Sequence, residues 1–409
     1  MNYLGKYVCH IYIALWVIYY LQDWLMIKGV IAQAILVLVL MMSFYAFFQV
    51  NVFYRTGAFI KWLNVMLVVL SIYGVIPIIG EWTLAGSGKV GVSWMTYLYL
   101  QNVYISILPI YFFYQFTLIR HLTSHNLFFI FVVFLLFSVL MYYKNYYFVS
   151  KFYDMEEITN NAGYFFVPLI PMLQLLKIKD IWKYIFITII FVYLLMAMKR
   201  GAVIVGAVMV IMFMTHHFKH VSWKKKYYLL CLSVIVLSAI SYFIIILYAD
   251  SDYFQGRIEQ TLSGDSSGRN DMYHSYLTYF LERTTVLEFL IGNGTNSTYV
   301  LFGDYAHNDW IEFAINQGII GLLMYLVYWI AFIWEWKNYC GDINSRNTLG
   351  DIIFAYFLIA LYSMSFDGMP IAAGFCIGYC LAMNEKVKTA NLIKEVRNRI
   401  INDKNTSFD

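Results

Sequence analysis

Apolar residues run along this chain in blocks, separated by short polar connections. Ile31 to Val50 holds no charged residue, and neither does Tyr227 to Ala249. Each block is about the ~20 residues that cross the hydrocarbon core of a bilayer. The pattern predicts about twelve spans, near 8–22, 29–50, 60–79, 95–117, 127–143, 161–176, 181–198, 201–217, 227–248, 311–334, 348–366 and 369–384. The first, Val8 to Gln22, has no small-residue cleavage site after it and leads directly into further spans, so it is expected to be a retained helix. The sixth carries Pro168 and Pro171. Two prolines predict a kink, with freed backbone groups that neighbouring helices must satisfy. The seventh and eighth spans are joined by Lys199, Arg200 and Gly201 alone.

One polar segment, Asp250 to Trp310, interrupts this pattern. It is too long for a plain connection, and long loops are usually functional or disordered. Its composition is not that of disorder. Met272 to Leu290 places Tyr273, Tyr276, Leu277, Phe280 and Leu281 at helical spacing, which predicts a helix along the membrane interface. No internal repeat and no low-complexity segment is visible. The expected organisation is a single all-α polytopic membrane domain over 1–384, with a long external loop at 249–310, and a basic amphipathic tail over 385–409.

Composition agrees with this division. Apolar residues make up 61% of the 409-residue chain and charged residues 13%, against about 25% charged in soluble domains. Basic residues set the expected orientation. With a cytoplasmic N-terminus, 19 lysines and arginines fall on the cytoplasmic side and 9 on the other. Twelve spans then leave both termini inside and the 249–310 loop outside. The tail mixes Val387, Leu392, Ile393 and Val396 with Lys388, Lys394 and Arg397, the pattern of a helix lying on an anionic inner leaflet. The net charge of +4 is modest and points away from nucleic acid. Five scattered cysteines (Cys9, Cys231, Cys340, Cys376, Cys380) show no metal spacing and no disulfide framework, and read as small apolar residues in helix packing.

Candidate chemistry gathers on the outer side. Lys199 and Arg200 lie at the bilayer edge, and Arg257 and Arg269 follow within Gly256-Arg257 and Ser267-Gly268-Arg269. A guanidinium is a planar, permanently charged fork suited to phosphate oxygens. Two or three such groups converging from different loops would bind a diphosphate. The alternative is interfacial snorkelling, or pairing with Asp265, Asp271 or Glu282. A second constellation, Ala306-His307-Asn308-Asp309-Trp310-Ile311-Glu312, enters the tenth span. His307 titrates near neutrality and suits a general base. Asp309 and Glu312 share a helical face, where one could orient the histidine or hold a sugar hydroxyl. Helix capping is the competing reading, with Asn308 or Asp309 as N-cap and Glu312 completing a capping box. Gly318 and Gly321 read as a close-packing face.

Other candidates carry less. His216, His217 and His220 stand beside Lys224 to Lys226 and read as a solvated basic loop rather than a metal cluster. Asp250-Ser251-Asp252 has the form of a metal-holding acidic pair but reads as a solvated helix end. Asn293-Gly294-Thr295 and Asn296-Ser297-Thr298 fit the glycosylation acceptor pattern, yet Gly292 and Gly294 are better read as a turn. No metal site and no cofactor is expected.

The order of Lys199-Arg200-Gly201, Arg257, Ser267-Gly268-Arg269, Gly292-x-Gly294, Ala306 to Glu312 and Gly318-Ile319-Ile320-Gly321 resembles the O-antigen polymerase and O-antigen ligase superfamily of bacterial envelope polysaccharide synthesis. The specific part covers roughly residues 195 to 330; the rest is similar only in hydropathy. The resemblance implies a metal-independent, inverting glycosyltransferase of membrane-embedded, GT-C-like architecture in the bacterial inner membrane. Its donor would be an oligosaccharide on undecaprenyl diphosphate. Arg200 and Arg269 would grip the diphosphate, with Arg257 as a helper, and His307 would activate or position the acceptor hydroxyl; Lys199, a departure from the family, could add a phosphate contact or merely be tolerated. Tyr273, Asn308, Asp309 and Glu312 complete the expected binding set. The family often has serine where this chain has Lys199.

Polymerase and ligase share these motifs. The polymerase joins one lipid-linked repeat unit of O-antigen or capsule to another, whereas the ligase passes the glycan to lipid A-core. The richness in Tyr, Phe and Ile favours polymerase, with membrane lipids and a chain-length regulator protein as expected partners. A lipid-linked oligosaccharide flippase is the alternative from another class. It would place charges along mid-membrane faces in both halves of the chain, and these spans hold few.

Overall fold

The computed structural model describes all residues except 1–3, 23, 28, 81–91, 120–121, 151–159, 220, 251, 253–254, 257, 260–267, 364–367 and 407–409. Among the described residues the chain is helical, without strands. Five helices come first: α1 (Leu4–Tyr20), α2 (Val30–Phe53), α3 (Ala58–Gly80), α4 (Val92–Ile119) and α5 (Ser124–Val149). The short α6 (Gly163–Phe166) and α7 (Leu169–Met172) precede α8 (Asp180–Met196), α9 (Arg200–Lys219) and α10 (Trp223–Asp250). Three more short helices, α11 (Arg269–Thr278), α12 (Val286–Ile291) and α13 (Ser297–Phe302), lead into α14 (Asp309–Lys337), α15 (Ile343–Tyr362) and α16 (Ile371–Thr406).

Among the described residues seven of these helices are long and apolar enough to cross a membrane, and the chain is a polytopic membrane protein. The other predicted spans correspond to α1, the 163–175 segment, α8, α15 and the front of α16, all helical but shorter or more polar. The sixth span breaks where its prolines predict. Pro168 caps α7, and a 3-10 turn follows at Leu173–Leu175. Neighbours bond other carbonyls around the break: Ser138 Oγ donates to Phe165 O at 3.2 Å and Thr348 Oγ1 to Pro171 O at 3.1 Å. Cys376 and Cys380 are buried in α16, which lies along α4. Gly378 permits that approach, since a Cβ there would stand 2.5 Å from Ile110 O.

Three local expectations are corrected. Met272 to Leu290 is not one helix but α11, a wide turn at Tyr279–Arg283, and α12. A capping box restarts the chain: Thr285 Oγ1 accepts from Glu288 N at 3.3 Å, and Thr285 N donates to Glu288 Oε2 at 2.7 Å. The break turns Tyr276 and Phe280 into a small core with Ala306, Ile311, Ala314 and Ile315, which seats the loop helices on α14. The turn between α8 and α9 is Ala197–Lys199, because Met198 adopts a left-handed φ of 52° before Lys199; Arg200 and Gly201 already belong to α9.

The third correction concerns the histidines. His216 and His217 do not lie in a solvated loop but in the last turns of α9, facing carboxylates on other helices. His216 Nε2 is 3.0 Å from buried Asp351, which also accepts from Gln174, and His217 Nε2 is 3.1 Å from Asp180. Low surrounding polarity makes inward pairing with a carboxylate the favourable course for an imidazole at a helix end. His220 and Ser251 lie outside the described residues, while Asp250 ends α10.

Candidate active site

The site forms where one end of α14 meets the α8–α9 turn, the start of α11 and the end of α15. Asn308 shapes the α14 end. Its side-chain oxygen accepts from Trp310 N at 3.0 Å and Ile311 N at 3.2 Å, so it is the N-cap, and its Nδ2 donates to Leu361 O at 3.2 Å. One residue earlier His307 takes a left-handed φ of 49°, a conformation that is uncommon outside glycine and concentrates at functional sites. The reversal leaves the imidazole 40% exposed at the mouth of the loop rather than in the helix.

Arg269 opens α11 after Gly268, whose φ of 75° makes the turn into the helix. Its Nη1 donates to Tyr362 O at 2.9 Å, tying α11 to the end of α15. Arg269 and Lys199 both lie within electrostatic reach of His307. Three segments far apart in sequence thus converge on one imidazole. Burial lowers the His307 pKa below its ordinary value, and Arg269 and Lys199 lower it further, while Asp304 opposes them. Asp304 Oδ1 stands 3.8 Å from His307 Nε2 and accepts from Tyr305 N at 2.8 Å. Tyr273 is half-buried beside this group. Its hydroxyl contacts Asn308 and lies 3.5 Å from His307 O, and burial raises its pKa, keeping it a donor.

Arg200 is half-buried in the first turn of α9, next to Lys199. Gly201 behind it admits Tyr164, whose hydroxyl would be 2.5 Å from a Cβ there. That hydroxyl also bonds Ser363 and lies near Arg269. Arg257 lies outside the described residues.

Asp309 and Glu312 are placed elsewhere than the candidate binding set suggests. Both are fully buried. Asp309 Oδ2 accepts from Tyr325 OH at 2.8 Å. Glu312 accepts from Ala306 N at 2.6 Å, Thr298 Oγ1 at 2.7 Å and Asn316 Nδ2 at 2.9 Å. No capping box forms between them; Glu312 instead clamps the loop that carries His307 onto α14. Gly318 also departs from its expected role. Its φ of 69° breaks α14, and Asn293 N and Gly294 N fill the gap by donating to Ile315 O and Asn316 O, each at 2.9 Å. Gly292 and Gly294 form the expected turn, and that turn is what the broken helix is stitched to.

Tyr164, Asp304, Tyr362 and Ser363 complete the surroundings and were not singled out in the sequence. Asp304 was findable: it is an acidic residue three positions before His307. Tyr164, Tyr362 and Ser363 are neutral groups at helix ends, and only packing brings them here.

No curated protein matches the chain. Residues 185–326 match the O-antigen ligase family, a stretch that runs from within α8 through the α8–α9 turn, Arg269 and His307 to the middle of α14. The matched stretch contains Lys199, Arg269 and His307, which the fold brings together, so this region of the chain is similar to the O-antigen polymerase and ligase superfamily.

Proposed function

We propose that the protein is a polysaccharide polymerase that transfers a glycan from undecaprenyl diphosphate to a second lipid-linked repeat unit at the outer face of the bacterial inner membrane. The observation that carries this reading is the convergence of His307, Arg269 and Lys199 from three distant parts of the chain. A departing diphosphate gathers negative charge on its oxygens, and fixed cations at that position stabilise the transition state without reorganising. Arg269 is fixed by Tyr362 O and by its place in the first turn of α11. Lys199 in the α8–α9 turn and Arg200 at the start of α9 add positive charge.

The acceptor hydroxyl requires a base that is unprotonated near neutral pH. The lowered pKa of His307 meets that requirement. With Nε2 turned toward Asp304, Nδ1 is the nitrogen that takes the proton. In this scheme the acceptor oxygen forms a bond to the anomeric carbon as the bond from that carbon to the diphosphate oxygen breaks. The proton goes to His307 and the electron pair leaves with undecaprenyl diphosphate. A single displacement of this kind inverts the anomeric centre. No step in the scheme requires a metal ion.

Ligation to lipid A-core uses the same groups and is the second reading; the family match supports both equally. The two separate in reconstituted membranes. Purified protein given only lipid-linked repeat units should lengthen them, and elongation that appears only after lipid A-core is added would make it a ligase. Release of flipped but unextended repeat units would make it a transporter.

A further inference from the structure

The opposite end of α14 carries a second feature. Past the break at Gly318 the helix runs on to Lys337, roughly 28 Å at 1.5 Å per residue, about the thickness of a hydrocarbon core, so its far end is expected at the other membrane face. There buried Glu335 holds the α2–α3 turn and α16 together. A Cβ on Gly57 would meet its carboxylate at 2.3 Å, Asn384 Nδ2 donates to it at 3.0 Å, and Lys388 Nζ pairs with it at 2.6 Å. Beside this joint a groove of about 890 Å³ opens between the α2–α3 turn, the end of α4 and the tail of α16.

The groove is two-natured. Arg55, Lys61, Lys386 and Lys388 line it. Against them stand Glu385 in the groove and Glu335 beneath it, which leaves an excess of two positive charges. The same groove is walled by Phe53, Leu118, Leu392 and Ile393. Phe53, Leu392 and Ile393 are exposed, at the level where α2 and α4 leave the apolar region. Lys386 and Lys388 are half-buried in the groove wall, where an anion is attracted more strongly than on an open surface.

We infer that this groove binds the headgroup of an anionic phospholipid, with its acyl chains along Phe53 and Leu118, and so anchors the tail of α16 to the bilayer. Charge complementarity selects the acidic headgroup. The apolar wall selects a lipid over a soluble phosphate, which would have no use for Leu118, Leu392 or Ile393. The inference is independent of the chemistry at His307.

Native mass spectrometry of the full-length protein in mild detergent tests it, with phosphatidylglycerol against phosphatidylcholine of the same acyl chains. The protein should retain phosphatidylglycerol preferentially, and Arg55→Ala/Lys61→Ala/Lys386→Ala should weaken that preference by roughly tenfold or more, on the usual contribution of basic residues at an anionic surface. Lys224→Ala/Lys226→Ala, which removes cations away from the groove, should leave it unchanged. Should the triple variant fold poorly, Arg55→Gln/Lys61→Gln carries the same expectation at reduced size. Equal retention of both lipids by the unmodified protein overturns the inference. So does an unchanged preference in the groove variants, an equal loss in the Lys224 and Lys226 control, or displacement of the lipid by glycerol phosphate alone at equal concentration.

Discussion

Gly318 and Gly292 touch backbone to backbone: a Cβ on Gly318 would lie 2.6 Å from Gly292 N, and one on Gly292 would lie 2.3 Å from Asn316 O. Both glycines have positive φ, 69° and 79°. Neither steric conflict is with a flexible side chain, so neither can be relieved by a rotamer change. Gly318→Ala and Gly292→Ala are therefore expected to destabilise the protein by about 1–3 kcal/mol each, the usual cost of a strained backbone residue. Each should also misplace the α13–α14 loop that carries His307. Thermal unfolding in detergent, read beside the glycan ladder, measures both effects. An alanine variant with unchanged melting temperature and ladder would show that the broken helix tolerates repair.

Glu312 is expected to act through the loop and not through substrate. Its two oxygens accept three hydrogen bonds from Ala306, Thr298 and Asn316. Glu312→Gln turns one acceptor into a donor facing a donor, at a cost of about 1–3 kcal/mol for the buried group left unsatisfied. The variant should unfold at lower temperature, while the fraction that folds keeps the parent KM for lipid-linked donor. A raised KM at unchanged stability would return Glu312 to the substrate site.

The helices were readable because a bilayer demands about twenty apolar residues in a row, and a demand that strict leaves few alternatives. The candidate site was readable only in part. Lys199, Arg269 and His307 stood out because charges at a membrane edge need a reason. Asp309 and Glu312 misled because carboxylates three apart on a helix suit a cap, a ligand pair or an interior clamp equally well. Two of their partners, Thr298 and Tyr325, are 14 and 16 positions away and carry no local signal. Gly318 misled for a related reason. Glycine permits both close packing and a break, and the choice rests on Asn293 and Gly294 arriving to take up the exposed carbonyls.

The pH dependence follows from the direction of the His307 shift. Its pKa is lowered by burial first, then by Arg269 and Lys199, so the imidazole stays neutral and able to accept a proton to below its ordinary value of about 6.5. Transfer rates in proteoliposomes should fall only on the acid side of that value. Lys199→Gln removes a lowering charge and should move the acid limb to higher pH. Asp304→Asn removes the opposing carboxylate and should move it to lower pH. Parallel movement of the two limbs, or none, would show that His307 is not the titrating base.

Under the proposed function Arg269→Ala is expected to abolish polymer, since it removes both the cation assigned to the leaving group and the bond to Tyr362 O. Arg200→Lys is the finer probe. Lysine keeps the charge but not the two-pronged donor geometry, so most activity should be lost if the diphosphate is held by a fork. The readout is the glycan ladder in cells lacking the native enzyme, with membrane levels of each variant checked by immunoblot. A full ladder from Arg200→Lys would rule out bidentate binding, and a full ladder from Arg269→Ala or His307→Ala would overturn the site.

The two ends of α14 make orientation testable without any substrate. The candidate site lies at its start, and Glu335, with the basic groove, near its end. A reporter fused after Ser267 and one fused after Asn338 must therefore give opposite results, whichever way the protein sits. The distribution of lysine and arginine predicts which result belongs to which: alkaline phosphatase should be active after Ser267 and inactive after Asn338. The reverse pattern would put the site on the cytoplasmic face, where an outward-flipped lipid-linked donor is absent, and would remove polymerisation at the outer face. The same sign from both fusions would mean that α14 does not cross the bilayer, and the separation of active site from lipid groove would go with it.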